Sequence, residues 1–401
     1  MTNKNHIAIL GAGESGVGAA LLAKAKGMIP FVSDKGKIKP SYQKELTENE
    51  IEFEAGTHSE ERILSADLII KSPGIPEKIE LLKRAKMNGI PVLSEIEFAG
   101  RYTDKKTICI TGSNGKTTTT MWIHHILKQA GLNVAMAGNI GESFARQVVE
   151  DTPDIYVIEL SSFQLDGMFD FRADIAILLN ITPDHLDRYD YEMQKYVNSK
   201  FRITQNLREN DWLIYNADEP IIIKELEERN IVAQLAPFSI KHEEGMAGYV
   251  NNNQIILNLK PTVTMSIHDL SLKGKHNTQN SLAAGITAKI FEIRKENIRE
   301  SLSDFKNVEH RLEFVAKVNG IEFINDSKAT SYSSSVSILK SLSNVSWIVG
   351  GIAKKGDKLS LTNISFTAVV KPLLITLLLL QMKANICHLY LLPNYVLVLL
   401  I

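Results

Sequence analysis

Short, uniformly apolar runs recur along this chain, each ending in a loop of glycines, acids or amides and followed by an amphipathic stretch. Ile7-Ala8-Ile9-Leu10 is the first, and a run with no polar alternation suits a strand buried on both faces. It enters Gly11-Ala12-Gly13-Glu14-Ser15-Gly16, and a helical pattern then extends to about Lys26. Ile29 to Val32 repeats the pattern and stops at Asp34. Leu68 to Ile70 stops at Lys71-Ser72-Pro73-Gly74-Ile75-Pro76, and Pro91 to Leu93 closes the unit. A second series opens with Thr107 to Ile110, runs through Thr111-Gly112-Ser113-Asn114-Gly115-Lys116-Thr117-Thr118-Thr119, and predicts a helix from Thr117 to Ala130. Its later strands are Ala135 to Ala137, Ile155 to Ile158 and Ala176 to Leu179, and a helix is predicted over Tyr191 to Gln205. A third series holds Ile321 to Ile324, ending in Asn325-Asp326, and Ser346 to Val349.

Strands alternating with helices predict an α/β protein built on parallel sheets. Three units are expected. The first spans 1–93, a linker 94–106 follows, the second spans 107–305, and a third begins at 308 and runs to 361. The first and third are expected to be Rossmann-like and the second to be an ATPase-type α/β domain with a phosphate loop. The 401-residue length supports two or three domains.

A net charge of −1 gives no global electrostatic case for nucleic acid or an acidic membrane. The two cysteines, Cys109 and Cys387, form neither a disulfide framework nor zinc spacing, which fits a reducing compartment. Met1 to His6 leads directly into the first strand without a signal-peptide pattern, so a cytoplasmic protein is expected.

The richest chemistry lies in the second series. Strand, glycine loop, Lys-Thr and helix is the recipe for holding a nucleotide triphosphate. The glycines let amides close on phosphate oxygens, and the helix N-terminus adds partial positive charge. Lys116 can reach the β- and γ-phosphates, and the Thr117 hydroxyl can ligate Mg²⁺. The loop has the shorter G-x-x-G-K-T form, because Ile110 stands where the usual first glycine would be. Glu159, ending a neighbouring strand, is either a metal-holding carboxylate or a solvated strand end. His185 sits among acids at another strand end and reads as ligand or structural residue alike. On residues alone, Lys195 and Lys200 read as surface charges. Gly11 to Gly16 with Asp34 about 20 residues on is a dinucleotide-type fingerprint. It signals phosphate or pyrophosphate more firmly than nicotinamide.

Together these segments resemble the Mur ligases of peptidoglycan synthesis, over residues 1 to about 360. The resemblance rests on the Gly11–Gly16 loop with Ser72-Pro73-Gly74-Ile75-Pro76, on Gly112 to Thr117, and on Glu159-Leu160-Ser161-Ser162-Phe163-Gln164. It rests also on Thr182-Pro183-Asp184-His185-Leu186-Asp187-Arg188-Tyr189, on Gly274-Lys275-His276-Asn277 with Asn280, and on Asn325-Asp326-Ser327-Lys328-Ala329-Thr330. The Glu159 and His185 segments point to the D-glutamate-adding branch. Asn114 stands where the L-alanine-adding relative usually has histidine.

The resemblance implies an ATP-dependent, ADP-forming amide ligase acting on UDP-N-acetylmuramoyl-L-alanine and D-glutamate through an acyl phosphate. It implies UDP binding by Gly13, Glu14, Ser15, Asp34, Ser72, Pro73 and Gly74, with Asn139 on the muramoyl group. ATP would contact Gly112, Ser113, Asn114, Gly115, Lys116, Thr117, Thr118, Asn277, Asn280, Arg311 and Asp326. Two Mg²⁺ ions would lie among Thr117, Glu159, His185 and a carbamylated Lys200. Lys328, Thr330 and Lys354 would face D-glutamate or the transferring phosphoryl group. A monomer is expected. The competing readings are an NAD-dependent oxidoreductase, which the Lys116 loop and Glu159 argue against, and a non-catalytic nucleotide- and UDP-sugar-binding remnant.

The tail departs from the family pattern. Residues 362–401 are leucine-rich, and their only charges are Lys371 and Lys383. They lack turn glycines and polar helix faces, so an incomplete third unit, missing the family's last strands and its glutamate-binding segment, is expected. The composition reads as a damaged reading frame, or else as a hydrophobic anchor. The runs 368–380 and 389–401 are each shorter than the ~20 residues a spanning helix needs. An inactive chain is the expectation.

Overall fold

The computed structural model describes residues 5–241, 244–306, 313–318, 321–327, 345–349, 367–369 and 396–400. Met1–Phe305 forms one compact unit and Lys306–Ile401 a second.

Two sheets build the larger unit. The first has strands β1 (His6–Leu10), β2 (Ile29–Asp34), β3 (Glu52–Ala55), β4 (Leu68–Lys71) and β5 (Val92–Ser94), all parallel, in the order β3-β2-β1-β4-β5. Helices α1 (Glu14–Ala25), α2 (Pro40–Glu48), α3 (Glu60–Leu64), α4 (Glu80–Met87) and α5 (Glu95–Gly100) connect and flank them. The strand order reverses between β1 and β4, so the Gly11 and Ser72 loops open side by side at the sheet's C-terminal edge, where such sheets take ligands.

The second sheet has nine strands: β6 (Lys106–Thr111), β7 (Val134–Gly138), β8 (Ile155–Glu159), β9 (Ile175–Leu178), β10 (Trp212–Asn216), β11 (Gln234–Ser239), β12 (Gly248–Asn251), β13 (Gln254–Leu257) and β14 (Val263–Ser266). Their order is β14-β13-β12-β11-β10-β9-β6-β8-β7, parallel except for the antiparallel β12-β13-β14 edge. The helices are α6 (Lys116–Gln129), α7 (Phe144–Val148), α8 (Ser162–Leu165), α9 (Met193–Phe201), α10 (Pro220–Glu228), α11 (Lys275–Ile290) and α12 (Lys295–Asp304). β6 lies between β8 and β9, which places the phosphate loop, the end of Glu159's strand and the Asn180–His185 loop together.

Residues 94–106, expected as a linker, carry α5, whose Ile96, Phe98 and Ala99 are fully buried. The Ser94 hydroxyl caps this helix by accepting from the Glu97 amide at 3.1 Å. The Glu97 carboxylate instead accepts from the Phe169, Asp170 and Phe171 amides at 2.9 to 3.1 Å through Oε2. One apolar core therefore runs from Ile9 and Leu22 through Phe98 to Phe144 and Tyr156, joining both sheets. Where α1 meets α7, a Cβ on Gly18 would lie 2.0 Å from Ser143 Oγ, so only glycine permits that approach. Beside it, Arg146 pairs with both Glu14 and Glu45.

In the smaller unit, β15 (Glu313–Val318), β16 (Ile321–Asn325), β17 (Val345–Val349), β18 (Thr367–Val369) and β19 (Val396–Leu400) follow the order β15-β16-β19-β17-β18. β18 and β19 come from the tail that was read as supplying no strands. The physical reason is that a run without polar residues is what a central parallel strand requires, and β19 pairs in parallel with both β16 and β17. Among the described residues, no helix is long and apolar enough to cross a membrane.

Candidate active site

The phosphate loop is held in shape by its own neighbours. Gly115 adopts φ +84°, a left-handed conformation that favours glycine, and a Cβ there would meet Asn280 Oδ1 at 2.5 Å. Asn280, on α11, thus abuts the loop, and its amide donates weakly to Asn277 Oδ1 at 3.4 Å. Asn277 in turn donates to the Lys273 carbonyl at 2.8 Å. On the other side Asn180, just past β9, mimics a strand partner. Its Oδ1 accepts from the Asn114 amide at 2.8 Å, and its Nδ2 donates to the Asn114 carbonyl at 3.0 Å. Ser113 Oγ donates to the Thr182 carbonyl at 2.8 Å and lies 3.0 Å from the Tyr196 hydroxyl. Neither Asn180 nor Tyr196 was singled out from sequence. Thr117 and Thr118 are buried at the start of α6.

Two lysines converge on one carbonyl. Lys116 Nζ donates to Gly112 O at 2.8 Å and to Ser113 O at 2.9 Å, and Lys200 Nζ also donates to Gly112 O, at 2.8 Å. Lys200 is only 1% exposed, so its reading as a surface charge is corrected. α9 turns its Tyr196, Val197, Lys200 and Phe201 side inward. Burial, and then the nearby Lys116 ammonium, push the Lys200 pKa well below its ordinary value. Lys195, by contrast, is exposed and pairs with Asp190 and Glu192.

Glu159 ends β8 and is 1% exposed. Oε1 accepts from Asn139 Nδ2 at 2.8 Å, whereas Oε2 is buried with no hydrogen-bond partner among the described residues. A desolvated, half-satisfied carboxylate is costly unless a cation or donor completes it. The donor set therefore fits a hard divalent cation. Among the described residues no three His, Cys, Asp or Glu side chains converge as a ready-made metal cluster. His185 instead pairs with its neighbour, Nε2 lying 3.5 Å from Asp184 Oδ2, while its ring is 5.2 Å from that of Phe163. It holds φ +50°, strained backbone of the kind that concentrates at functional sites.

At the first sheet, Asp34 braces the glycine loop. Oδ2 accepts from the Ala12 amide and Oδ1 from the Gly36 amide, both at 2.7 Å. A Cβ on Gly16 would sit 1.8 Å from the Gly11 carbonyl. Ser72 accompanies this loop, its amide donating to Leu10 O at 2.9 Å. Gly13 and Ser15 flank Glu14, whose side chain turns away to Arg146, the Ser143 amide and Tyr42. Arg188 was quoted in a motif without a role. Its guanidinium donates to the carbonyls of Pro73, Gly74 and Ile75 at 3.1 to 3.3 Å. Asp326 is buried at the end of β16 in the smaller unit. Arg311, Lys328, Thr330 and Lys354 lie outside the described residues.

A phosphate loop carrying Lys116, with Lys200 and Glu159 buried beside it, together with a second glycine loop on its own parallel sheet, fits a nucleotide-dependent ligase scaffold. Known proteins agree. The Mur ligase middle domain matches residues 110–288, and the MurD-like N-terminal domain of Mur ligases matches residues 5–94. The UDP-N-acetylmuramoylalanine–D-glutamate ligase of Bacteroides fragilis is 56% identical over 352 residues, covering 88% of this chain and 79% of its own length. That of Porphyromonas gingivalis is 51% identical over 370 residues, covering 91% and 82%. Among solved structures, a UDP-N-acetylmuramate–alanine ligase from Thermotoga maritima superposes with TM-score 0.58 at 16% identity, covering 99% of this chain and 95% of that one; it speaks for the fold alone. The chain belongs to the Mur ligase family, in its D-glutamate-adding branch. These are ATP-dependent ligases of peptidoglycan synthesis.

Proposed function

We propose that this chain binds UDP-N-acetylmuramoyl-L-alanine across its two glycine loops and activates the L-alanine carboxylate with ATP. In the reaction of this branch the carboxylate oxygen attacks the γ-phosphorus, ADP leaves, and the acyl phosphate then takes the amine of D-glutamate, releasing phosphate. The observation that carries this reading is the buried, half-satisfied Glu159 beside a phosphate loop on which Lys116 and Lys200 converge.

Lys116 follows the transferring phosphoryl group, because its amine already lies at the loop's mouth on the Gly112 and Ser113 carbonyls. Loop amides, preset by Asn180 and by Gly115 against Asn280, face the phosphates. Thr117, Glu159, His185 and Lys200 are the residues that would hold Mg²⁺, in two sites. Bound there, magnesium offsets the repulsion between the attacking carboxylate and ATP. Lys200 takes part as a carbamate: its neutral amine bonds to the carbon of CO₂ and loses a proton, which turns a cation-repelling group into an anion. Asn139 holds Glu159 in place and reaches the muramoyl substrate.

The uridine diphosphate end rests on Gly13, Glu14 and Ser15, with Ser72, Pro73 and Gly74 opposite and Asp34 bracing the loop. Asn277 and Asn280 serve the adenine side. The protein works as a cytoplasmic monomer.

The tail bears on turnover. In sequence, residues 362–401 are leucine-rich with Lys371 and Lys383 as their only charges, and on this ground we propose that the chain binds its UDP-substrate without completing D-glutamate addition. The test combines titration calorimetry with product analysis. Binding of UDP-N-acetylmuramoyl-L-alanine is expected in the 401-residue chain. D-Glutamate-dependent ADP release is expected only when 362–401 is replaced by the matching segment of the Bacteroides fragilis relative. No binding of the UDP-substrate would sink the function, and turnover by the unaltered chain would sink the claim about the tail.

A further inference from the structure

We infer that Arg188 is a positioning residue that couples the UDP-substrate loop of the first sheet to the His185 turn of the second. The inference rests on the function proposed above and assigns a side chain that reading leaves idle.

The geometry is that of a clamp between two loops. From the second sheet, Arg188 crosses to the first and donates to three successive carbonyls, Nη1 to Gly74 at 3.1 Å and Nη2 to Pro73 and Ile75 at 3.3 Å. The planar fork holds its N–H groups in a fixed spread that reaches three acceptors along a backbone, a geometry that the single nitrogen of lysine does not reproduce. The guanidinium also lies over the Phe163 ring, 4.3 Å from its centroid. Phe163 in turn faces His185, at 5.2 Å between ring centres. Arg188 and His185 share one tight turn, closed by the Arg188 amide donating to the His185 carbonyl at 3.0 Å.

The clamped segment is held from behind as well. Lys71, 2% exposed, pairs with Glu77 at 3.1 Å and donates to the Ile75 carbonyl at 3.0 Å. Lys78 pairs with Asp190, just past the same turn. The 73–78 segment therefore cannot shift by much without pulling on the 185–190 turn. His185, at φ +50°, is the strained link in that turn, and strained backbone takes up such a pull through small changes of angle. A ligand that settles on Ser72-Pro73-Gly74 thus stiffens the turn that carries His185. Site coupling of this kind is reciprocal: filling the nucleotide side stiffens the 73–75 loop in return.

Amide hydrogen exchange on the full 401-residue chain tests this, because it needs no turnover. With saturating UDP-N-acetylmuramoyl-L-alanine and no nucleotide, exchange is expected to slow at 11–16 and 72–77, and also by about tenfold at 184–191, a typical coupling magnitude. In Arg188→Ala the first two segments keep their protection and the third loses it. Arg188→Lys, which keeps the charge and stem without the fork, gives less than half of the effect and guards against a folding defect in the alanine variant. Equal slowing at 184–191 in wild type and both variants would overturn the coupling. So would wild-type protein that is protected at 72–77 only. Wild-type protein protected nowhere would show that the UDP-substrate does not bind, which refutes the underlying function and this inference with it.

Discussion

The two glycine loops follow the same recipe and end in different chemistry. Each leaves a central parallel strand at a reversal of strand order and enters a helix, so each offers amides to phosphate. Around Gly11–Gly16, the nearby acids are spent on structure: Asp34 on two amides, Glu14 on Arg146 and the Ser143 amide. Around Gly112–Lys116, the ionisable groups are crowded together rather than spent on bracing the loop. Lys116 and Lys200 share a carbonyl, and Glu159 keeps an oxygen unmatched. A loop whose acids are spent on bracing offers amides alone, whereas a loop beside two amines and a half-satisfied carboxylate can also offer charge to a reacting group. The glycine pattern alone could not separate them.

The sharpest way to break this contrast is Lys116→Ala. It should lower Mg·ATP affinity and phosphoryl transfer together, by on the order of 10³-fold in turnover. UDP-substrate binding should stay within about twofold of wild type by calorimetry. Loss of UDP-substrate binding in a folded variant would mean that the loops do not divide the labour.

Lys200→Ala comes next. In the chain carrying the relative's C-terminal segment, turnover should fall on the order of 10²-fold, and millimolar acetate should restore part of it by supplying an anion. Unchanged turnover would make Lys200 a packing residue only. Gly16→Ala probes the other loop. Its Cβ would lie 1.8 Å from the Gly11 carbonyl, so UDP-substrate affinity should drop by roughly 10-fold or more. ATP binding should be untouched, and a variant weakened equally for both ligands would contradict the contrast.

The smallest effect sits between the two sheets. Glu95 is fully buried, its Oε1 accepting from the Ala145 amide at 2.5 Å, and burial raises its pKa to about 8. The folded chain therefore keeps a proton that the unfolded chain gives up near pH 4.5, and stability falls as pH rises from about 4.5 to 8. Glu95→Gln removes that loss. Its melting temperature should match wild type at pH 4 and exceed it clearly at pH 8. A gap that is constant across pH would show that Glu95 does not titrate in this window.

Much of this was legible in sequence because parallel strands are uniformly apolar and announce their ends with glycine or acid. β1, β6, β8 and β9 are of this kind, and so both loops and Glu159 were found. The burial of Lys200 was not read from the residues alone, although a signal existed. It shares the helical stripe of Tyr196, Val197 and Phe201, whereas Lys195 lies off that stripe and is exposed. α5 was missed because its apolar run is only Ile96, Phe98 and Ala99, yet Ser94-x-x-Glu97 is a helix-start pattern. Asn180 and Arg188 could not be read, since their partners lie 66 and more than 110 positions away and only the folded chain brings them together.

The contact of Gly18 with Ser143, flanked by Glu14, Arg146 and Glu45, carries a consequence for how such proteins can be recombined. The first sheet looks like an interchangeable cassette, joined to the rest by a single crossing of the chain. It is keyed, however, by one missing side chain on α1 and one cation on α7. A chimaera spliced between β5 and β6 would bring together a key and a lock with separate histories, and would pack poorly even if each half were sound. Successful crossovers should therefore exchange α1 and α7 as a pair, or lie beyond Val148, where both partners travel together.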